Sequence, residues 1–267
     1  MNKNPVVSAA EDEIIASMVT AIIEKQIKNH KKGDVAQRDV HTKSHGTVKA
    51  VFTVRDDIPA NLKVGLFAAP AKYDALVRFS NGAFKSDSFD ILPNIRGVGV
   101  KLLGVPGAKV IPGEENTTEH DFLMANHQVF FAPKIEHMQM LVTGQFKEIL
   151  KGHRRVLGLM LSSMFKLVKN PLTTSYFSQV PYAFGDRACK YALLPTEKSS
   201  FFSIPNGFNR HYLRNAAERL LRKKEVRYTF CVQLQNPDES LEDSSVKWNG
   251  GFLPIADLTF LTVDQPM

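Results

Sequence analysis

Residues 38–46, with the sequence RDVHTKSHG, lead directly into an apolar run from Val48 to Val54. Two histidines and a lysine therefore lie beside a segment with the composition of a buried strand. A histidine at the edge of such a strand can act as a general acid or base, because its pKa lies close to neutrality. The spacing alone favours a solvated polar turn, so the remainder of the chain has to decide between these two interpretations.

The composition is that of a globular protein with an ordinary hydrophobic core. The chain has 267 residues, and its 34 Lys and Arg residues outnumber its 27 Asp and Glu residues, which weakly favours anionic partners. Cys189 and Cys231 form neither a disulfide framework nor a metal-binding spacing, which fits a reducing compartment. Acidic residues stand where a signal peptide would be apolar, and no apolar run is long enough to span a membrane. We therefore expect a cytoplasmic protein.

Residues 9–31 are predicted to form an amphipathic helix. Ser8 stands at the N-cap position and Glu11 at the matching position of a capping box. Apolar residues recur along this segment at helical spacing, namely Ile14, Ile15, Met18, Val19, Ile22, Ile23 and Ile27. We expect residues 1–33 to be a helical arm that docks through this stripe, and residues 34–267 to form the body of a single-domain protein.

Short strands dominate the pattern in the remainder of the chain. They are predicted at 47–55, 73–80, 95–103, 120–131, 180–194, 226–235 and 255–261. Helical patterns cover 135–169 and 206–225. This order indicates an α+β protein in which an antiparallel barrel or curled sheet carries flanking helices. The basic segment 145–169 allows weak contact with an anionic membrane, although a packed helix with a solvated basic face is the commoner arrangement.

The commoner catalytic and binding motifs are absent from the sequence. There is no Walker loop, and Gly97-Val98-Gly99 lacks the third glycine of a dinucleotide fingerprint. No serine lies in a nucleophile elbow. His120 and His127 are not at zinc spacing, so we expect no metal site there. The basic residues are not interleaved with aromatic ones, so we expect no nucleic-acid partner.

Four segments, taken in order, resemble the haem-dependent catalase superfamily, and especially its small members. The segments are RDVHTKSHG at 38–46, VRFSNG at 77–82, NIRGVGVKL at 94–102 and DFLMANHQVFF at 121–131. Each segment is weak alone, but their order and spacing are specific, and the resemblance covers about residues 34–262. It implies a catalase-like antiparallel β-barrel that binds haem b and acts on hydrogen peroxide or organic hydroperoxides.

The resemblance implies catalytic roles for His41 and Asn126. His41 matches the distal histidine, which takes a proton from one peroxide oxygen and returns it to the other. Ser80 matches the serine that hydrogen-bonds this histidine and fixes its ring. Asn126 matches the asparagine that orients the peroxide. An ungapped match puts Ala125 at that position instead, so Asn126 needs a local bulge to reach the same face of the strand.

Four further residues are matched to cofactor contacts. Arg38 and Arg78 match arginines that bind haem propionates, which is consistent with the two-pronged contact between a guanidinium and a carboxylate. Val40 matches a valine that narrows access to the iron, and Phe130 matches an aromatic beside the distal pocket. The second histidine of the opening stretch, His45, is expected to be structural or exposed.

The residue that would hold the iron is not identified, so the metal ligand is left unknown. Catalases use a tyrosinate assisted by an arginine four residues earlier in a helix. The Arg-x-x-x-Tyr of this sequence runs from Arg187 to Tyr191 in a predicted strand, where that spacing does not stack the two side chains. We expect the family's proximal segment to be missing from a chain that stops at Met267.

Three hypotheses of function follow. The first is a catalase-like haem enzyme that decomposes hydrogen peroxide or organic hydroperoxides. The second is isomerase or lyase chemistry on a fatty-acid hydroperoxide, against which Val40 argues, because a threonine there marks the allene oxide synthase branch. The third is a barrel without haem that binds a ligand or a membrane surface through residues 145–169. The oligomeric state is left open.

Overall fold

The computed structural model describes residues 8–31, 33, 35, 38, 40–82, 87–111, 113–145, 147–149, 154–196 and 209–262. Its strands are β1 (Ser44–Val54), β2 (Lys72–Asn81), β3 (Arg96–Leu103), β4 (Glu119–Ala125), β5 (Tyr176–Phe177), β6 (Tyr182–Phe184), β7 (Arg187–Pro195), β8 (Val226–Leu234) and β9 (Leu253–Phe260). The helices that lie wholly within these ranges are α1 (Ala9–Asn29), α2 (Ile135–Val142), α3 (Arg154–Met164) and α4 (Tyr212–Leu221).

The strands of the described residues form one antiparallel sheet that closes into a barrel. Their order is β5-β4-β3-β2-β1-β9-β8-β7-β6, and β5 pairs with β7 as well as with β4. The extra pairing closes the ring through β7 and leaves β6 outside it, as a hairpin on β7. The predicted α+β fold, an antiparallel barrel with flanking helices, is confirmed.

The alternation of side chains along each strand fills the barrel with aromatic and branched residues. Phe52, Phe122 and Phe230 are buried together, with 4.8 Å between the ring centroids of Phe122 and Phe230. Burial of such a side chain contributes about 1.5–3 kcal/mol. In β2, Phe79 points into this core, so its neighbour Ser80 must lie on the outer wall, because the side-chain period of a strand is two.

Two predicted strands have different bounds in the structure. The segment predicted at 120–131 ends as a strand at Ala125, and beyond it the backbone N–H of Phe130 donates to the carbonyl of Ser244, at 3.0 Å. The segment predicted at 180–194 is two strands, β6 and β7. They are joined at Gly185, whose φ of +65° suits glycine in a tight turn.

The predicted helix α1 begins at its predicted cap. The side-chain oxygen of Ser8 accepts from the backbone N–H of Glu11, and the Glu11 carboxylate accepts from the backbone N–H of Ser8 at 2.8 Å. The helix lies against α2, where the Gln139 amide donates to the Ser17 hydroxyl at 2.7 Å. None of its residues is buried, and Ile27 is 69% exposed.

The helical segments predicted later in the chain are shorter in the structure. The segment at 135–169 contains α2 and α3, and residues 150–153 between them lie outside the described ranges. The segment at 206–225 contains α4, and its first three residues are also outside those ranges. Across the described ranges, no helix combines the length and the apolar character that a membrane span needs.

Candidate active site

The candidate site lies on the outer wall of the barrel, over three neighbouring strands. Ser80 of β2 pairs with Gly97 of β3, and Gly97 pairs in turn with Ala125 of β4. Paired residues of an antiparallel ladder face the same side, so these three positions form one row, which we call the outer row. The ring of His41 lies directly on the middle of this row, where glycine leaves room for it.

Two hydrogen bonds hold His41 in place. Its Nδ1 is 2.9 Å from the hydroxyl of Ser80, and its backbone carbonyl accepts from the Arg78 guanidinium at 2.7 Å. The φ of His41 is +54°, a left-handed conformation that costs a non-glycine residue about 1–3 kcal/mol and persists where neighbouring contacts enforce it. No described residue hydrogen-bonds the other ring nitrogen, Nε2, so Nε2 is the atom that can exchange a proton with a ligand.

The surroundings of His41 keep its ring neutral. Burial lowers the pKa of His41 below its ordinary value near 6.5, and the positive charges of Arg78 and Arg38 lower it further. Burial and the charge of Arg38 also lower the pKa of Arg78. No described carboxylate forms an ion pair with either arginine. Two neighbouring cations that no described carboxylate neutralises favour an anionic ligand group such as a carboxylate.

A methyl group at position 97 would collide with His41. A Cβ added to Gly97 would lie 2.6 Å from His41 Nδ1 and closer still to Cε1. Gly97→Ala should therefore displace the ring from Ser80 and abolish most turnover that depends on His41, while the fold persists, because alanine is compatible with a strand. The measurements are initial rates with peroxide and the thermal unfolding midpoint.

Gly99→Ala is the matched control for that substitution. Gly99 lies two residues further along β3 on the same face, and a Cβ there would meet Leu123 at an ordinary 3.5 Å. Its rates should stay close to those of the unchanged protein. If the two variants lose activity equally, His41 does not owe its position to Gly97.

A buried charged network lies behind the outer row. Asp90 is fully buried, and its carboxylate is 2.7 Å from the ammonium of Lys43, which is 3% exposed. The same carboxylate accepts from the amide of Asn81 and from the backbone N–H of Leu213 at the start of α4. The Arg96 guanidinium donates to the backbone carbonyl of Asp90 at 2.6 Å and to the side-chain oxygen of Asn81. We call Lys43, Asn81, Asp90 and Arg96 the buried network.

His45 belongs to this network as a neutral side chain. It is 1% exposed, and its Nε2 is 2.6 Å from the side-chain oxygen of Asn81. Burial lowers the pKa of His45 to about 4, although the charge of Asp90 acts in the opposite direction. His45, which was expected to be structural or exposed, is thus fully buried, and its contact with Asn81 indicates a structural role.

Each residue of the outer row has a sequence neighbour whose side chain points to the opposite face of the sheet. Asn81 follows Ser80, Arg96 precedes Gly97, and Asn126 follows Ala125. This is the consequence of strand alternation, which sends successive side chains to opposite faces. The buried network therefore lies on the inner side of the same strand ends whose outer side carries His41.

Asn126 is bonded to the backbone of Arg96 on that opposite side. Its side-chain oxygen accepts from the Arg96 N–H at 2.9 Å, and its own N–H donates to the Arg96 carbonyl at 2.9 Å. The amide nitrogen of Asn126 is buried and has no hydrogen-bond partner. In the outer row, the position beside His41 is held by the methyl group of Ala125.

The remaining predicted residues lie at the margin of the row. Arg38 is exposed, and its carbonyl accepts from the hydroxyl of Thr42 at 2.8 Å. Val40 is 41% exposed. The ring of Phe130 is half-buried and packs on Phe131, with 4.6 Å between centroids. Among the described residues, the ring of Phe130 contacts Phe131 and not His41, whereas Ser80 and Arg78 both hydrogen-bond His41 directly.

The residues present fit one side of a haem. A neutral histidine on a flat glycine surface suits the distal face of that cofactor, and two arginines that form no ion pair with a described carboxylate suit its propionates. The buried tyrosines do not fit the role of iron ligand in the same way. Burial raises the pKa of Tyr176, Tyr191 and Tyr228, which favours the protonated phenol. A tyrosinate ligand needs the opposite shift.

The remaining tyrosines give no better ligand within the described ranges. Burial also raises the pKa of Tyr182 and Tyr212, and the Tyr212 hydroxyl donates to the carbonyl of Val168 at 2.7 Å. Tyr73 lies on β2, and none of the described residues hydrogen-bonds its hydroxyl. Arg187 donates to the carbonyl of Asn61, so the Arg-x-x-x-Tyr of the sequence forms no arginine-assisted tyrosinate.

Sequence reasoning missed three parts of the site. It named Gly97 only within a matched segment and an incomplete dinucleotide motif, without a role of its own, and it gave Lys43 and Asp90 no role. The sequence held a signal for two of them, because Gly97 directly follows Arg96 inside a matched segment and Lys43 lies inside the opening stretch. The contact of Asp90 with Leu213 joins residues 123 positions apart, and no local pattern indicates it.

Comparisons with known proteins agree on one family. A family model described as Catalase matches residues 4–155. A catalase-related peroxidase of Mycolicibacterium paratuberculosis is 27% identical over 227 residues, which cover 79% of this chain and 69% of that protein. Catalase A from Saccharomyces cerevisiae and a fungal catalase each superpose with a TM-score of 0.69 at 14% identity, over 99% and 98% of this chain. This chain spans 59% and 55% of the length of those two catalases, and the likeness to them shows the fold.

Proposed function

The chain belongs to the catalase family, and we propose that it is a catalase-like haem protein that decomposes hydrogen peroxide or organic hydroperoxides. The observation that carries this proposal is the placement of His41, a neutral imidazole seated on Gly97 and fixed by Ser80. A general acid or base is most effective when it is held rigidly and can change charge near the working pH.

The protein's own groups divide the work in this proposal. Nε2 of His41 would accept a proton from one peroxide oxygen and donate it to the other, which would then depart as water. The Ser80 hydroxyl keeps the ring in the orientation that this transfer needs. Arg78 and Arg38 bind the two propionates. The two electrons that cleave the O–O bond, and the acceptor of the remaining oxygen, would have to come from the bound haem, since no side chain of this site provides that redox chemistry.

Val40 and Phe130 complete the proposed pocket. Val40 directly precedes His41 and is 41% exposed, so its branched side chain can restrict which peroxides approach. Phe130 packs against Phe131 with tilted rings, and the pair supplies an aromatic wall after the end of β4. Asn126, the residue expected to orient the peroxide, lies on the face opposite His41, where its side-chain oxygen accepts from the Arg96 N–H, so this proposal gives it no contact with the peroxide.

Restoring an amide at the outer row should increase activity. Ala125→Asn places a hydrogen-bond donor on the face that carries His41, and the haem-loaded variant should evolve oxygen from hydrogen peroxide at least about tenfold faster. Leu123→Asn is the control, since it adds the same group two residues earlier on the outer face of β4, where Leu123 is 66% exposed. Equal rates in the unchanged protein and in Ala125→Asn, with identical haem spectra, would show that the peroxide does not bind beside position 125 of the outer row.

A barrel without haem is the second candidate function. It is favoured by buried tyrosines such as Tyr176 and Tyr212, whose pKa values are raised by burial and whose hydroxyls donate to backbone carbonyls, which makes them poor iron ligands. In that case the anionic ligand of Arg38 and Arg78 would be a carboxylate other than a haem propionate.

Titration with haemin separates the two candidates. The purified chain should bind haemin with a Soret band that saturates at one equivalent per chain, and the complex should evolve oxygen from hydrogen peroxide. Arg78→Ala should weaken binding, whereas Arg187→Ala, which alters an exposed arginine on β7, should not. If the folded protein shows no band, the haem proposal fails and the second candidate remains.

A further inference from the structure

Helix α3 presents an outward face that no described residue covers. Arg154, Gly158 and Leu161 of the helix share the i, i+4, i+7, i+11 spacing of one helix face with Phe165, the first residue after it, whose N–H still donates to the Leu161 carbonyl at 3.0 Å. All four residues are exposed. Phe165 is 65% exposed and Leu161 is 42% exposed. We call these four residues the α3 face. On the opposite side of the helix, Val156 and Ser163 are buried against the body of the protein.

The exposure of the α3 face is not a consequence of a loose helix. The helix is fixed at its C-terminal end, where the carbonyl of Met164 accepts from the backbone N–H of Asn94 at 2.8 Å. The ammonium of Lys166 donates to the carbonyl of Asn126 at 3.0 Å, which ties the next residues to the end of β4. Large apolar side chains are therefore held outward on a firmly packed element.

The chain segment that carries this face is basic and contains no acidic residue. From Ile149 to Gly185 the chain contains no Asp or Glu, and the same stretch carries five basic residues, namely Lys151, Arg154, Arg155, Lys166 and Lys169. Arg154 forms no ion pair with a described carboxylate. Arg155 is 4.0 Å from Asp243 but remains 64% exposed. Cations thus stand at both ends of the helix, with apolar side chains between them.

We propose that the α3 face binds the surface of an anionic lipid membrane. Apolar residues between cations suit the boundary between headgroups and acyl chains, where Leu161 and Phe165 insert and Arg154 meets lipid phosphates. A protein partner of matching shape would need carboxylates to oppose the cations, whereas a lipid surface supplies both the anions and the apolar layer. Helix α3 has 11 residues, so it lies on the membrane and does not cross it.

This contact would place the candidate site close to the lipid, because Lys166 joins α3 to the residue that follows Ala125. The inference does not depend on haem or on peroxide chemistry. Its test therefore uses binding as the readout, and a failure of the proposed function leaves it unaffected.

Vesicle co-sedimentation tests the proposal with the full chain. The protein should bind vesicles that contain about 30% phosphatidylserine in phosphatidylcholine, bind pure phosphatidylcholine far less, and be released by salt. The double variant Leu161→Ser, Phe165→Ser should bind the anionic vesicles about tenfold more weakly. Leu123→Ser is the matched control, since Leu123 is equally exposed on β4 and should retain full binding.

A charge variant tests the electrostatic half of the proposal. Arg154→Glu should weaken binding, whereas Lys49→Glu, which changes the net charge by the same amount on the outside of β1, should not. Unfolding midpoints measured in parallel show that the variants are folded. Equal binding to both kinds of vesicle overturns the proposal, as does full binding by the double variant. If the double variant instead splits an oligomer and keeps its affinity for vesicles, the α3 face is an interface between copies and the proposal is wrong.

Discussion

His41→Ala should lower the rate of oxygen evolution from hydrogen peroxide by the haem-loaded protein about 10²- to 10⁴-fold, which is the usual contribution of a positioned acid or base. Haemin should bind the variant with unchanged stoichiometry, because the arginines assigned to the propionates are untouched. The loss should appear in the catalytic rate at saturating peroxide, since the proton transfer belongs to the chemical step.

The size of this effect follows from how the ring is held. Ser80 fixes one nitrogen of His41, Gly97 supports the ring from below, and Nε2 is left to face the ligand. Alanine at position 41 removes the proton acceptor while the outer row stays in place. No neighbouring position of that row carries a side chain that can take over the proton, since it consists of a serine, a glycine and an alanine.

The pH dependence gives an independent check on the same residue. Burial, Arg78 and Arg38 all lower the pKa of His41, so the neutral, active form persists to lower pH than in a free histidine. The acid limb of the rate profile should therefore lie below pH 6.5. Arg78→Ala removes one of the charges that lower this pKa and should move the limb to higher pH in whatever fraction of the variant retains haem.

His127→Ala is the matched control for the alanine substitution. His127 is half-buried in the turn after β4, where its Nδ1 is 3.1 Å from the carbonyl of Val129. Its loss should leave the rate within a few-fold of the original. Equal rates in His41→Ala and the unchanged protein would remove His41 from its proposed role, as would an equal loss in both histidine variants.

The parts of the site that the sequence predicted are those that local patterns encode. Strand alternation separates the inward Phe79 from the outward Ser80, and the order of the four segments brings His41, Arg78 and Ser80 together. The structure joins these three by hydrogen bonds. The barrel itself was also predictable, because short apolar strands with turn residues between them require closure or stacking to bury their inner face.

The remaining parts depend on contacts between distant segments. Whether Asn126 faces His41 or Arg96 depends on where β4 ends, and the hydrogen bonds between Asn126 and the Arg96 backbone determine that end. The sequence predicts a basic amphipathic helix at α3. Which face of that helix is buried depends on its contact with Asn94, whose N–H donates to the Met164 carbonyl. The hydrophobic pattern alone supports either orientation, because α3 is apolar on two sides.

Asp90→Ala should lower the free energy of unfolding by about 3–5 kcal/mol, the usual cost of removing one partner of a buried ion pair. Asp90 is fully buried and Lys43 is 3% exposed, so water cannot replace the lost carboxylate. The substitution also leaves the backbone N–H of Leu213 without its acceptor. Urea denaturation of the unchanged and variant proteins, at equal slope, measures the difference.

An exposed ion pair supplies the control. Lys101 and Glu119 also form an ion pair, but both side chains are well exposed, so Glu119→Ala should cost about 1 kcal/mol or less. A cost for Asp90→Ala as small as that of Glu119→Ala would show that water reaches the buried network and that its burial does not determine stability.

The double variant Lys43→Met, Asp90→Ala distinguishes a lost attraction from a stranded charge. If the cost of Asp90→Ala comes mainly from the unpaired ammonium of Lys43, removing that ammonium as well should recover part of the stability, so the two substitutions will not be additive. Additive losses would mean instead that each residue acts through separate contacts, such as the bond between Lys43 and the carbonyl of Ser88 at 2.6 Å.

The same double variant bears on activity, because Lys43 lies two residues after His41 and anchors the turn that carries it. A protein that regains stability without regaining turnover would show that the buried network positions His41 as well as stabilising the barrel.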